Sequence, residues 1–168
     1  MADYLLYTTL IGTGATAFMD IAALLRKLGG TPAPDYGLVG RWLARMAHGH
    51  FRLDPIAATP PIRGERTIGW IAHYLTGIAF AALLLGAWGI DWARNPAIAP
   101  ALIVGIGSLA APFLLMQPGM GAGIAARRTP RPGVARVRSL VTHVSFGFGL
   151  YAAGWLAASL EPVAQFHQ

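Results

Sequence analysis

The chain has 168 residues, 55% of them apolar and only 12% charged, with a formal net charge of +6 and no cysteine. A soluble domain carries roughly 25% charged residues, so an ordinary soluble fold is excluded and a membrane protein is indicated. Without cysteine there is no disulfide scaffold, thiolate metal site or cysteine nucleophile. The basic residues sit at the ends of apolar runs rather than along a soluble face, which argues against nucleic acid as a partner and for the lipid bilayer.

The first apolar run covers residues 4–25, long enough for the about 20 helical residues a bilayer crossing needs. No Lys or Arg precedes it, and Arg26 and Lys27 follow it. It is therefore expected to be a retained helix rather than a cleavable signal peptide. Pro32 and Pro34 then break the chain, and Asp35 can cap a new helix. After it Val39, Trp42, Leu43, Met46 and Ala47 recur at helical spacing, with Arg41, Arg45 and His48 off that face. This predicts an amphipathic helix over about 36–48, lying on the membrane surface. Gly49 would end it, leaving residues 54–61 extended.

The second apolar run covers 68–90 and the third 98–117. Pro100 suits a first helical turn, Pro112 should kink the helix, and Pro118 ends it. The fourth run covers 140–160. Asp20, His73 and His143 are the ionisable side chains that interrupt these runs. The fold class is thus all-α: a polytopic membrane protein with four transmembrane helices in two hairpins, plus the surface helix, expected as a single integral membrane domain over 1–168.

Charge asymmetry sets the expected orientation. Arg26, Lys27, Arg41, Arg45, Arg52, Arg63 and Arg66 lie between the first two helices, and Arg127, Arg128, Arg131, Arg136 and Arg138 between the last two. The opposite side holds Arg94, beside Asp91. The positive-inside rule puts both basic loops in the cytoplasm and both termini outside. Arg41, Arg45, Arg127 and Arg128 are the candidates for contact with anionic headgroups.

Each hairpin has a histidine helix that opens His-x-x-x-Gly, at His73–Gly77 and His143–Gly147. An arginine stands seven residues before each histidine, and Gly12–Asp20 and Gly107–Gln117 share a similar order of residues. These features suggest a parallel repeat. Asp20, His73, Gln117 and His143 then fall in one layer, on the order of 10 Å or less below the cytoplasmic surface at 1.5 Å per residue. Because lipid cannot hydrogen-bond polar groups, they are expected to converge in the bundle interior.

Several readings of that cluster stay open. The histidines can serve only as structural hydrogen-bonding groups, with the glycines serving close helix packing. His73 and His143 can hold a haem as axial ligands. Asp20 with a histidine can relay protons. The HGH stretch at His48–His50 offers two metal ligands but no evident third or fourth. Gly119–Gly123 lacks the strand that a phosphate loop needs. Trp70, Trp88, Trp92 and Trp155 suit an aromatic belt, and no catalytic motif is evident.

Taken together, GRW at Gly40–Trp42, GERTIGWIAHYLTG at Gly64–Gly77, PALIVG at Pro100–Gly105, PFLLMQPGMGAGIAA at Pro112–Ala126 and SLVTHVSFGFGLY at Ser139–Tyr151 resemble DUF2938. This is a family of bacterial inner-membrane proteins without an assigned function. Arg127 departs from the small residue of that place. The resemblance implies localisation and architecture, not chemistry. The function expected is a small multi-pass inner-membrane protein of unassigned role, acting as an accessory subunit among membrane-protein partners or as a homo-oligomer. The alternatives are a b-type haem or metal-binding redox protein and a small proton-coupled transporter.

Overall fold

The computed structural model describes the backbone of residues 1–165 and the side chains of residues 1 and 3–159. Four of its helices are long and apolar enough to cross a membrane, at Asp3–Leu28, Glu65–Trp88, Ile98–Gly119 and Pro132–Ser159. The protein is all-α, with no strand among the described residues.

Helix α1 (Ala2–Leu28) places Arg26 and Lys27 in its last turn, where cations complement the helix dipole, and closes at Gly29. Helix α2 (Tyr36–Met46) starts at Asp35, whose Oδ1 accepts the Gly37 amide at 2.9 Å. Its amphipathic period is met in part by protein. It packs on α3 (Glu65–Trp88), backbone against backbone, at Gly40 and Gly69. A methyl on Gly40 would strike the Glu65 carbonyl, and one on Gly69 the Tyr36 carbonyl. Arg41, expected among the membrane-surface arginines, is buried in this joint at 8% exposure. Its Nε and Nη2 donate to the two Glu65 oxygens at 2.7 Å, and its Nη1 to the Thr59 carbonyl. A buried guanidinium needs a carboxylate partner, and Glu65 lies too far along the chain for a local pattern to reveal it.

After the short helix α4 (Asp91–Arg94), the third span begins as α5 (Ile98–Gly107). It continues through a π-helical stretch, Ala111–Met116, into α6 (Gln117–Gly119). Pro112 has no amide hydrogen, so the hydrogen-bond ladder slips to wider turns at the place where a kink was expected. Trp92 is not part of an interfacial belt. It is 5% exposed, packed over Gly154, with Nε1 donating to the Ala97 carbonyl at 3.1 Å. Helix α7 (Pro132–Gln165) starts well before the apolar run at 140, because Pro132 suits a first turn and Arg136 and Arg138 are tolerated in solvated helix.

The spanning helices pack in the order α3, α1, α7, α5, with α3 and α5 meeting more sparsely across the bundle. Lipid offers no hydrophobic drive for this association, so close van der Waals contact at small residues must supply it. Gly12 faces the Ile78 backbone and Gly77 sits on Thr16, whose Oγ1 is turned back to the Gly12 carbonyl at 2.7 Å. Gly105 faces Gly147 in the second hairpin, and Gly149 faces Ala15 between α1 and α7. Gly105, not Gly107, therefore occupies the place of Gly12; Gly107 has nothing within 4 Å. Ile11, Leu84, Leu85 and Leu150 are fully buried between these crossings.

The two arginine-rich loops are joined to each other. The Leu53 amide donates to the Gly119 carbonyl at 2.8 Å and the Ile56 amide to the Met120 carbonyl at 3.2 Å. Asp54 accepts from Arg128 at 2.8 Å and Arg52 at 2.9 Å.

Candidate functional site

The His-x-x-x-Gly openings divide their work. In each, the glycine lies on the preceding spanning helix of its own hairpin, and the histidine one turn earlier takes a polar partner from that same helix. The partners differ. His73 Nε2 lies 3.0 Å from Asp20 Oδ1 on α1. The same carboxylate accepts the Tyr74 hydroxyl at 3.2 Å and the Tyr36 hydroxyl at 3.4 Å. The Tyr36 ring stacks on His73 at 4.2 Å between centroids, and Trp70 meets the imidazole edge-on at 5.7 Å. Three donors thus surround one buried carboxylate, as a buried polar group requires.

His143 does not join Asp20. Its Nδ1 is 2.6 Å from Ser108 Oγ on α5. Ser108 gives its single proton to the Gly105 carbonyl at 2.6 Å. One hydroxyl thus stands between the imidazole and the Gly105 carbonyl. Of the four residues expected to converge, the structure hydrogen-bonds Asp20 to His73 and gives His143 a separate partner. Gln117 makes no hydrogen bond through Oε1, which is buried.

His73, Gln117 and His143 share a cavity instead, a cleft of about 790 Å³ bounded by all the spanning helices and roofed by α2. This volume lies within the roughly 300–1,000 Å³ of small-ligand sites. Part of its wall is apolar, with Phe80, Phe146, Ala111 and Met116. Val39, Trp42 and Leu43 of α2 form the roof. The apolar stripe that predicted a membrane-facing helix thus covers a cavity. The Trp42 indole rests on Gly119, where any side chain would displace it, and Nε1 donates to the Phe51 carbonyl at 3.0 Å. On one side, between α3 and the π-helical stretch, the wall is made by exposed Thr76 and by Leu115, which is 67% exposed. The cleft is least covered there.

Asp20 lies outside this cleft, in a smaller pocket with Lys27, Tyr36 and Trp70. His73 turns Nε2 to Asp20 and His143 turns Nδ1 to Ser108, so the ring nitrogens left for an axial ligand are Nδ1 of the first and Nε2 of the second. In the loop, His48 Nδ1 lies 2.8 Å from the Ala44 carbonyl. Among the described residues no three His, Cys, Asp or Glu are grouped to hold a metal ion. Arg127 and Arg128 are exposed, whereas Arg45 is half-buried with an Nε that has no partner. The residues that sequence reasoning missed are Ser108 and Tyr36. Ser108 stands in a helix of small residues like many others, and Tyr36 reaches Asp20 only because α2 docks on α3.

A family model described as a protein of unknown function, DUF2938, matches residues 9–157. The chain belongs to DUF2938. No curated protein and no solved structure matches it. The matched region of this DUF2938 protein contains every residue that lines the cleft.

Proposed function

We propose that this DUF2938 protein is a small ligand-binding carrier of the bacterial inner membrane, with its basic loops in the cytoplasm and both termini periplasmic. The cleft is the observation that carries the reading. A bundle that needed only to be stable would close over its interior, since interiors pack to the density of organic crystals. Here a space of about 790 Å³ remains beside His73, His143 and Gln117. The hydrogen-bonded Asp20–His73 pair stands beside it, the kind of intramembrane carboxylate–imidazole pair from which proton pathways are built. Orientation rests on the arginines of the two loops. An accessory-subunit role has less support, because exposed large apolar residues are spread over all the spanning helices rather than gathered on one face.

The test is chemical. Protein purified in mild detergent is extracted with organic solvent and analysed by mass spectrometry beside an Ala111→Trp variant, which fills the cleft. A molecule enriched over bulk lipid in the parent and lost from the folded variant supports the reading. Extracts that both match bulk lipid would sink it.

A further inference from the structure

The cleft's charge pattern identifies the kind of molecule it takes. Among the described residues that line it are Arg26, Arg138, His73 and His143, and no aspartate or glutamate. Nearby acids are already engaged. Asp20 accepts from His73, Tyr36 and Tyr74, and Glu65 is held by Arg41. Asp35 caps α2.

Arg26 is half-buried, and the hydrogen bonds it makes go to neutral hydroxyls. Its Nη2 donates to Thr142 Oγ1 and its Nη1 to Ser145 Oγ, both at 3.2 Å. Arg138 stands one turn before Thr142 on the same face of α7, by the i, i+4 spacing of a helix. Two guanidinium groups thus share one strip of α7 at the mouth of the cleft, with no carboxylate in its wall to balance them. A guanidinium carries five donors in a planar fork suited to carboxylate or phosphate. Two long bonds to hydroxyls leave Arg26 most of that capacity.

We infer that the cleft binds an anionic amphiphile, with its carboxylate or phosphate on Arg26 and Arg138 and its acyl tail among Phe80, Phe146 and Met116. This rests on the ligand-binding reading above and names its substrate class. The opening between Thr76 and Leu115 lets a tail pass sideways from the bilayer while the head remains at the level of the arginines.

The experiment uses the full chain in phosphatidylcholine nanodiscs, titrated with radiolabelled laurate, dodecyl phosphate or dodecanol against protein-free nanodiscs. Both anions should bind saturably, and dodecanol about tenfold more weakly or worse, the effect of losing one charged hydrogen bond. Arg26→Gln and Arg138→Gln should each weaken the anions about tenfold and leave dodecanol unchanged. Arg138 is exposed, so its variant keeps the test decisive if loss of the Arg26 bridge between α1 and α7 prevents folding. Equal binding of dodecanol and laurate, insensitive to the arginine variants but abolished by Ala111→Trp, overturns the anion inference and leaves the carrier reading standing. Absence of binding by all three overturns the amphiphile inference and leaves the carrier reading to the extraction test. Inorganic phosphate displacing dodecyl phosphate at comparable affinity overturns the part given to the tail. Repeating the laurate titration with phosphatidylglycerol in the nanodiscs separates the sources. Competition identifies a bilayer lipid and no competition a free single-chain anion, and each supports the shared chemistry.

Discussion

Arg41 and Glu65 close a two-pronged ion pair across the joint between α2 and α3, with side chains 9% and 19% exposed. Breaking such a pair on one side leaves a charge without compensation, whereas replacing both partners by apolar groups removes the problem with the pair. Glu65→Gln is therefore expected to loosen α2 and lower the melting temperature in detergent. The double variant Arg41→Met, Glu65→Leu should recover much of the loss. Protease cleavage between α1 and α2 would report the loosening; equal melting of all three proteins would refute the argument.

The helix crossings predict a contrast between glycines. Val at Gly77 or Gly147 forces Thr16 or the Leu102 backbone aside, and overpacking of this kind costs about 1–3 kcal/mol. A Cβ at Gly107 meets nothing within 4 Å, so Val there should change stability little. Unfolding in mixed micelles ranks the three variants, and a Gly107→Val effect as large as the others would contradict the packing described.

Tyr36 gives a pH signature. Its phenol is pushed above the usual tyrosine range, first by burial and then by the negative charge of Asp20, which it also hydrogen-bonds. A folded-state value raised above the unfolded one contributes stability that is whole below the ordinary tyrosine value of about 10. That contribution is lost as pH rises through the folded-state value. The ultraviolet titration of the parent minus that of Tyr36→Phe should therefore show a late-ionising phenol. In Asp20→Asn the same difference should move back toward the ordinary range, because the burial cause remains and the charge is gone.

Topology is accessible because the chain has no cysteine. Asn95→Cys and Thr129→Cys place single thiols in loops on opposite sides of the bundle. A membrane-impermeant maleimide added to intact spheroplasts should label the first, and should label the second only after permeabilisation. The reverse pattern would invert the orientation proposed from the arginines.

Element existence was legible because a bilayer imposes a length on apolar runs, and each of the four runs became a spanning helix. Height along each helix was legible too, since rise per residue converts sequence position to distance from a helix end. Azimuth was not. His73 and His143 do lie along one cleft, but the sequence could not say that His73 turns to Asp20 and His143 to Ser108. Those choices depend on how α1, α3, α5 and α7 rotate at their glycine crossings. The amphipathic period of α2 revealed its helix and its apolar face, but not what that face covers. A stripe of Val39, Trp42 and Leu43 looks the same over a lipid surface as over a protein cavity. Arg41 was misplaced because a burial site made by a residue distant in the chain leaves no local trace.

The backbone bonds from Leu53 and Ile56 to Gly119 and Met120 have a mechanical consequence. They make the arginine-rich end of the two hairpins a single plate, so the hairpins cannot part there without losing them. Any change in the width of the cleft must come from its free seam. That seam lies between α3 and the widened turns after Pro112.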